Sequence, residues 1–195
     1  MTKEDETSEE ILHFWIEETG PEGWYRQSDA LDAEIRKRWE PMWRQTLQTG
    51  WPGWTPTPRS SLAYLILTDQ FPRNMFRSNG LAFATDHLAR ARAKCAIEQN
   101  WDKRIDGDAR QFFYLPLCHS ECLMDQERAV RLFNTRMPNA ADNLIHARAH
   151  REIIRMFGRF PHRNVDLGRK TTPEEASFLN SGGYGSVVDS LKASA

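Results

Sequence analysis

The chain has 195 residues, of which 39% are hydrophobic and 27% are charged, and this balance predicts a folded globular protein rather than a disordered one. A net charge of -1 argues against a general nucleic-acid-binding surface. No apolar run approaches the roughly 20 residues of a membrane helix, and the acidic first ten residues resemble neither a secretory signal nor a transit peptide. We therefore expect a cytoplasmic protein with neither nucleic-acid nor membrane partners.

The predicted secondary structure is helical, because apolar residues recur at helical spacing between glycines and prolines and almost no strand pattern is present. Pro41 is expected to kink or divide the second helix, and Pro116 to bend the fifth. Short connections between paired helices predict an all-α fold, an antiparallel array that is either a bundle or a superhelix of helix hairpins. It is expected to form one domain over residues 1–180 with a flexible Gly/Ser-rich tail over residues 181–195. The predicted helices cover residues 8–18, a stretch from 28 or 29 onward, 59–71, 81–99, 106–122, 125–136, 140–157 and a short segment from 172.

One phrase occurs twice in the sequence. Asp69–Asn74 reads DQFPRN and Gly158–Asn164 reads GRFPHRN, and each follows an apolar stretch. Because proline cannot continue a helix, each phrase is expected to end one and to place guanidinium, imidazole and amide groups beside that end. This pattern predicts a recognition site for an anionic or carbonyl-rich ligand.

Asp69 is unusual because it shares a helix face with apolar residues near the end of the most apolar helix. The helix dipole and desolvation both disfavour a carboxylate there unless it is paired, and Arg73 or Arg163 are the expected partners. In one interpretation the pair only ties two helix ends together. In the other it also orients an arginine toward a carboxylate or phosphate.

Histidines supply the candidate proton-transfer groups. His146 and His150 lie four residues apart and share a helix face with apolar residues, so His150 is either a core histidine with one hydrogen bond or a floor residue of the site. His119 follows Pro116 closely and has an ordinary pKa near neutrality, which suits a general acid or base. Glu121 lies two residues further on and would point away from His119 on a straight helix.

Metal binding is not predicted. Cys118 and Cys122 with His119 raise a zinc hypothesis, but no second ligand pair stands at matched spacing. The pair His146 and His150 lacks the glutamate of the His-Glu-x-x-His motif. With Cys95, the cysteines are expected to be buried reduced thiols, and no cofactor is predicted.

Five stretches of the chain resemble a bacterial and fungal family known as domain of unknown function nine-two-four. They are residues 11–15 (ILHFW), 65–74 (LILTDQFPRN), 115–121 (LPLCHSE), 150–164, and 172–175 (TPEE) with 178–179. The resemblance implies an all-helical fold similar to tetratricopeptide arrays and brings no established activity, substrate or cofactor. The family pattern carries over to Asp69, Gln70, Arg73, Asn74, His119, Glu121, His150, Arg159, His162, Arg163 and Asn164.

Three functional hypotheses remain open. A binding module would hold a small anionic molecule or peptide end on a concave face. An enzyme of hydrolase or lyase type would use His119 or His150 as acid or base, with Glu121 as a further candidate, while Arg73 and Arg163 stabilise negative charge. A structural module would use the polar phrases to join helices and would act through a protein partner. The predicted ligand-binding residues are Asp69, Arg73, Asn74, His119, Arg159, His162, Arg163 and Asn164.

Overall fold

The computed structural model describes residues 3–51 and 54–194, and within these ranges the chain is all-helical, without a β-strand. The predicted fold class is thereby confirmed, whereas tetratricopeptide-like stacking stays a prediction. Among the described residues, no helix combines the length and apolar character needed to span a membrane. The α-helices are α1 (Lys3–Leu12), α2 (Gly20–Trp24), α3 (Asp29–Thr49), α4 (Pro58–Leu65), α5 (Phe71–Met75), α6 (Asp86–Glu98), α7 (Leu115–Cys118), α8 (Leu123–Arg136), α9 (Ala141–Phe157), α10 (Pro173–Asn180) and α11 (Gly183–Ala193).

Two compact units make up the chain, Met1–Pro116 and Leu117–Ala195. Each unit has its own buried residues and is described by itself. The single domain predicted over residues 1–180 stays a prediction.

Helix α3 begins where the sequence predicts a cap, because the Ser28 hydroxyl accepts a hydrogen bond from the Leu31 N–H. Pro41 does not divide α3, which runs on to Thr49, and the predicted kink stays a prediction. Trp39 and Trp43, on either side of the proline, are both buried, and their packing offsets the backbone hydrogen bond that proline removes.

The first Phe-Pro phrase does not end its helix, contrary to the prediction. The chain passes from α4 through a π-helical segment, Ile66–Gln70, into α5, and Pro72 lies in the first turn of α5. The Phe71 N–H donates to the Ile66 carbonyl five residues earlier. The Thr68 carbonyl, which loses its helical partner at Pro72, accepts instead from the Thr85 Oγ1 hydroxyl at 2.6 Å. Proline is tolerated because a tertiary hydrogen bond replaces the helical one.

Phe71 lies at the centre of the core of the first unit. Its side chain is fully buried, and its ring lies 6.0, 5.5 and 5.9 Å from the rings of Phe14, Trp15 and Trp39. Phe14 and Trp15 belong to a second π-helical segment, His13–Thr19, which follows α1. The tryptophans of the N-terminal helices are thus core residues.

The helix predicted over residues 106–122 is divided in the structure. A 3₁₀-helix covers Gly107–Phe113, α7 follows, and Pro116 lies near the start of α7, where its missing N–H costs least. The hydroxyl of Tyr114 donates to Asp102 at 2.6 Å and holds the junction between the two helices. The helix predicted over residues 81–99 is likewise a 3₁₀-helix, Gly80–Phe83, followed by α6.

The second unit follows the sequence predictions more closely. Helices α8 and α9 form a hairpin at the predicted positions, and Gly158 ends α9 in the left-handed conformation. Thr172 caps α10 through the predicted threonine-proline-glutamate pattern, with Glu175 completing a capping box. Where a flexible tail is predicted, the structure has helix α11, because Val188 on its apolar face is buried.

Candidate functional site

Four histidines of the second unit lie close to one another and to two aromatic rings. We call His119, His146, His150 and His162 the imidazole cluster. The His150 ring is central: it lies 6.1 Å from the ring of His119, 5.5 Å from Phe160 and 5.0 Å from Tyr184. His146 stacks on Tyr184 at 5.9 Å, and His162 lies 5.6 Å from Phe160. The second Phe-Pro phrase and helix α9 therefore contribute to one cluster.

Helix α9 fixes the tautomer of His150. The spacing of four residues places the His150 Nδ1 atom 2.9 Å from the backbone carbonyl of His146. Because a carbonyl only accepts, Nδ1 carries the hydrogen, and in the neutral ring Nε2 presents a lone pair. Within residues 3–51 and 54–194, no protein group forms a hydrogen bond with this Nε2 atom. His150 can therefore accept a proton or a hydrogen bond from a ligand.

Burial and neighbouring positive charge keep His150 neutral. Burial contributes most to lowering its pKa to about 3, and His119, Arg163 and His162 lower it further, whereas the hydrogen bond to His146 opposes them. No carboxylate is among the groups that affect this pKa. No negatively charged side chain therefore stabilises a proton on His150.

The pKa values of His162 and His146 are lowered as well. Burial, followed by the charge of Arg163, lowers the pKa of His162 to about 4, although Glu121 and Asp166 oppose this. Burial also lowers the pKa of His146. These rings are uncharged near neutral pH.

Arg163 supports the cluster from the second Phe-Pro phrase. Its side chain is buried, its guanidinium lies 4.4 Å from the centre of the Phe160 ring, and Nη1 donates to the His119 carbonyl at 3.0 Å. A guanidinium held by an aromatic face and a carbonyl keeps its full positive charge. Arg163 thus adds a permanent cation to the imidazole cluster.

Glu121 holds the second Phe-Pro phrase in place. It accepts from the Phe160 N–H at 2.8 Å and from two nitrogens of Arg169 at 2.7 and 3.0 Å. Burial would raise its pKa, but these hydrogen bonds outweigh it and lower the pKa. The carboxylate is charged and fully engaged, which disfavours the predicted role of Glu121 as a proton donor.

Arg159 and Asn164 meet on a carboxylate of the capping box. Arg159 makes two hydrogen bonds to Glu175, at 2.6 and 2.8 Å, and the Asn164 amide donates to the same carboxylate at 3.1 Å. The hydrogen bond from Arg159 and that from the Thr172 N–H lower the pKa of Glu175 to about 2. This ion pair joins the second Phe-Pro phrase to α10.

The first Phe-Pro phrase forms a separate ionic network in the first unit. Arg73 contacts the Asp69 carboxylate at 3.3 Å and its carbonyl at 2.6 Å, which confirms Arg73 as the partner of Asp69. Arg73 also makes two hydrogen bonds, at 2.9 and 3.0 Å, to Asp86. The Gln70 amide donates to Asp69 at 2.6 Å. A partly buried guanidinium is thus held by two carboxylates, as the ion-pair interpretation requires.

Asn74 is engaged elsewhere in the first unit. Its amide donates to Asp32 at 2.8 Å, and Asp32 also pairs with Arg77. This contact ties α5 to α3. It gives Asn74 a structural role, and its predicted contact with a ligand stays a prediction.

The predicted site residues are divided between the two units. The first contains Asp69, Arg73 and Asn74, and the second contains the histidines with Arg159, Arg163 and Asn164. Within the second unit, the structure brings His119, His150, His162 and Arg163 together around Phe160. A single concave site that combines both sets stays a prediction.

Four partner residues were missed by sequence reasoning, namely Tyr184, Arg169, Glu175 and Asp86. Glu175 carried a signal only as a helix cap. The other three stand in no motif, and Tyr184 lies in the segment that was predicted to be flexible. Each reaches its partner across a tertiary contact, which sequence spacing does not encode.

Metal ligation finds no support in the described ranges, because no three His, Cys, Asp or Glu side chains there are grouped to hold an ion. No disulfide joins the cysteines. Cys118 is buried, as predicted, whereas Cys95 and Cys122 are exposed, contrary to the prediction.

Comparison with known proteins places the chain in a family. The model of a family described as "Bacterial protein of unknown function (DUF924)" matches residues 11–183. The chain belongs to this family. A solved structure of a protein of unknown function from Agrobacterium tumefaciens is 40% identical, with a TM-score of 0.84, and the match covers 91% of this chain and 98% of that one. No curated protein matches the sequence. Membership of DUF924 establishes the family and the helical fold, and it brings no activity.

Proposed function

We propose that the imidazole cluster binds a small anionic ligand, a carboxylate or phosphate, free or at the end of a peptide. One observation carries the proposal: the charged groups that lower the pKa of His150 are all cations or can become cations, namely His119, Arg163 and His162. Positive charge on these groups disfavours a proton on His150. An anion beside them would relieve this repulsion and stabilise the protonated imidazoles.

The chemistry of the cluster suits such a ligand. Arg163 supplies a permanent positive charge, and protonated His150 would donate from Nε2. Binding would then take up protons, so affinity would rise as the pH falls from about 8 toward 6.

A thermal-shift screen with inorganic phosphate, citrate and short peptides tests the proposal. A ligand at about 100 times its Kd adds about 2.7 kcal/mol, which for a chain of this size raises Tm by about 5–10 °C. We expect this shift in wild type, larger at about pH 6 than at about pH 8, and lost in His150→Gln. His87→Gln is the matched control, because His87 is exposed in the first unit. Equal shifts in both variants, or none in wild type, would contradict anion binding at the cluster.

General-base catalysis is the second candidate, and the geometry of His150 favours it. A neutral imidazole whose Nδ1–H is held by a carbonyl, with Nε2 available, has the arrangement of a general base. An enzyme of this kind would hydrolyse esters or phosphoesters, for which nitrophenyl acetate and nitrophenyl phosphate are probes. Turnover that disappears in His150→Gln but persists in His87→Gln would favour catalysis over binding alone.

A structural role is the third candidate, and the internal ion pairs support it for the remaining polar residues. Arg73 and Arg159 are each held by carboxylates of their own unit. In that case the helices would stack in a tetratricopeptide-like arrangement, and the protein would act by binding a protein partner. The cytoplasm, where cysteines remain reduced, is the compartment that we propose.

A further inference from the structure

We infer that helix α11 is a hinged cover for the imidazole cluster and that Tyr184 is the contact through which it closes. The inference rests on the proposed function, because it describes how access to that same site is controlled. A ligand of His150 would have to displace Tyr184.

The position of Tyr184 carries the first step. Its ring lies 5.0 Å from His150, stacks on His146 at 5.9 Å, and its hydroxyl is 2.6 Å from the His146 Nδ1 atom. His146 and His150 lie one turn apart on α9, and a single side chain of α11 contacts both. Burial raises the pKa of the Tyr184 phenol, so its hydroxyl remains neutral.

The connection between α10 and α11 carries the second step. Gly182 and Gly183 have φ values of +96° and +52°, in the left-handed region that glycine adopts without strain. No side chain caps the first turn of α11. Two consecutive glycines without a cap give the helix a junction whose dihedral angles can change at low cost.

The packing of α11 carries the third step. Of its eleven residues only Gly183 and Val188 are buried, while Tyr184 and Val187 pack partly buried against the cluster of Ile153, Ile154 and Phe160. Helix α9 packs against both α8 and α11. Because most residues of α11 are exposed, we expect this helix to open locally before the unit unfolds.

The test measures how fast His150 reacts with diethyl pyrocarbonate, which acylates neutral imidazole nitrogen, and mass spectrometry locates the modified residue. We expect slow reaction in wild type relative to exposed His87, and an increase of about tenfold in Tyr184→Ala, because an aromatic contact and a hydrogen bond no longer oppose opening. Asp189→Ala is the matched control, since Asp189 is on the exposed side of α11. Equal His150 rates in wild type and Tyr184→Ala would overturn the inference.

A second arm separates this inference from the proposed function. Inorganic phosphate should slow the reaction of His150 in Tyr184→Ala if an anion binds at the cluster. If phosphate does not slow the reaction in Tyr184→Ala, anion binding at the cluster is contradicted. A faster reaction of Tyr184→Ala than of wild type, both without phosphate, would still support the cover.

Hydrogen exchange of the wild-type protein keeps the inference testable if Tyr184→Ala does not fold. Amides of α11 should exchange faster than those of α9, because the cover opens without the hairpin beneath it. Exchange of α11 as slow as that of α9 would overturn the inference.

Discussion

Replacing His150 with glutamine should change how the stability of the protein depends on pH. The folded state holds His150 neutral, with a pKa lowered from 6.5 to about 3, first by burial and then by nearby positive charge. In the unfolded chain the imidazole takes up a proton near its ordinary pKa. The unfolded state therefore binds more protons between these values, and the stability that wild type has above pH 6.5 is lost as the pH falls toward 3.

The size of this loss follows from the two pKa values. At about pH 5 the unfolded imidazole is almost fully protonated and the folded one almost fully neutral. Linkage then predicts that His150 costs the folded state about 2 kcal/mol at pH 5 relative to pH 7.5. Glutamine does not titrate, so His150→Gln should lack this component. The pH-dependent contributions of His162 and of the carboxylates are common to both proteins, so they largely cancel when the two free energies of unfolding are subtracted.

Urea unfolding of both proteins, followed by tryptophan fluorescence at several pH values, measures the effect. The buffers should be MES and Bis-Tris, because citrate, acetate or phosphate would occupy the proposed anion site and raise the pKa of His150. Wild type should lose about 2 kcal/mol more than His150→Gln between about pH 7.5 and 5, and His87→Gln should follow wild type. A constant difference between wild type and His150→Gln, or an imidazole that titrates near 6.5 by NMR, would refute the reasoning.

Two further predictions concern the first unit. Phe71→Ala should lower the free energy of unfolding by about 4 kcal/mol, because it empties the space between three buried aromatic rings; a loss below about 1 kcal/mol in urea unfolding would mean that the core is not built around this ring. Asp86→Asn should lower it by about 2 kcal/mol, because partly buried Arg73 loses a charged partner with two hydrogen bonds. Exposed Asp142→Asn is its control, and equal unfolding midpoints for these two variants would argue against a stabilising ionic network.

The helices that sequence reasoning predicted well are those with complete local signals. The hydroxyl of Ser28 marks the start of α3, and the capping pattern at Thr172 marks that of α10. These signals act within one turn of helix, so they are readable from neighbouring residues. Neither Pro41 nor Pro72 divides its helix, because packing and a distant hydroxyl offset the lost backbone hydrogen bonds.

The candidate site was predictable only where its contacts are local in the sequence. The shared face of His146 and His150 follows from helical periodicity, and the short reach between Asp69 and Arg73 follows from a spacing of four residues. Helix α11 was not predictable, because a Gly/Ser-rich composition indicates a flexible tail, whereas Tyr184 and Val187 pack against Ile153, Ile154 and Phe160.

The sequence by itself therefore determined the helical class, the family and the residues that carry charge or protons. The tertiary structure decided which of those groups are satisfied and which remain available. Arg73 and Arg159 are held by Asp86 and Glu175, while the Nε2 lone pair of His150 keeps no protein partner within the described residues. The reason is physical: helical propensity and capping are local, whereas burial and ion pairing depend on groups that only folding brings together.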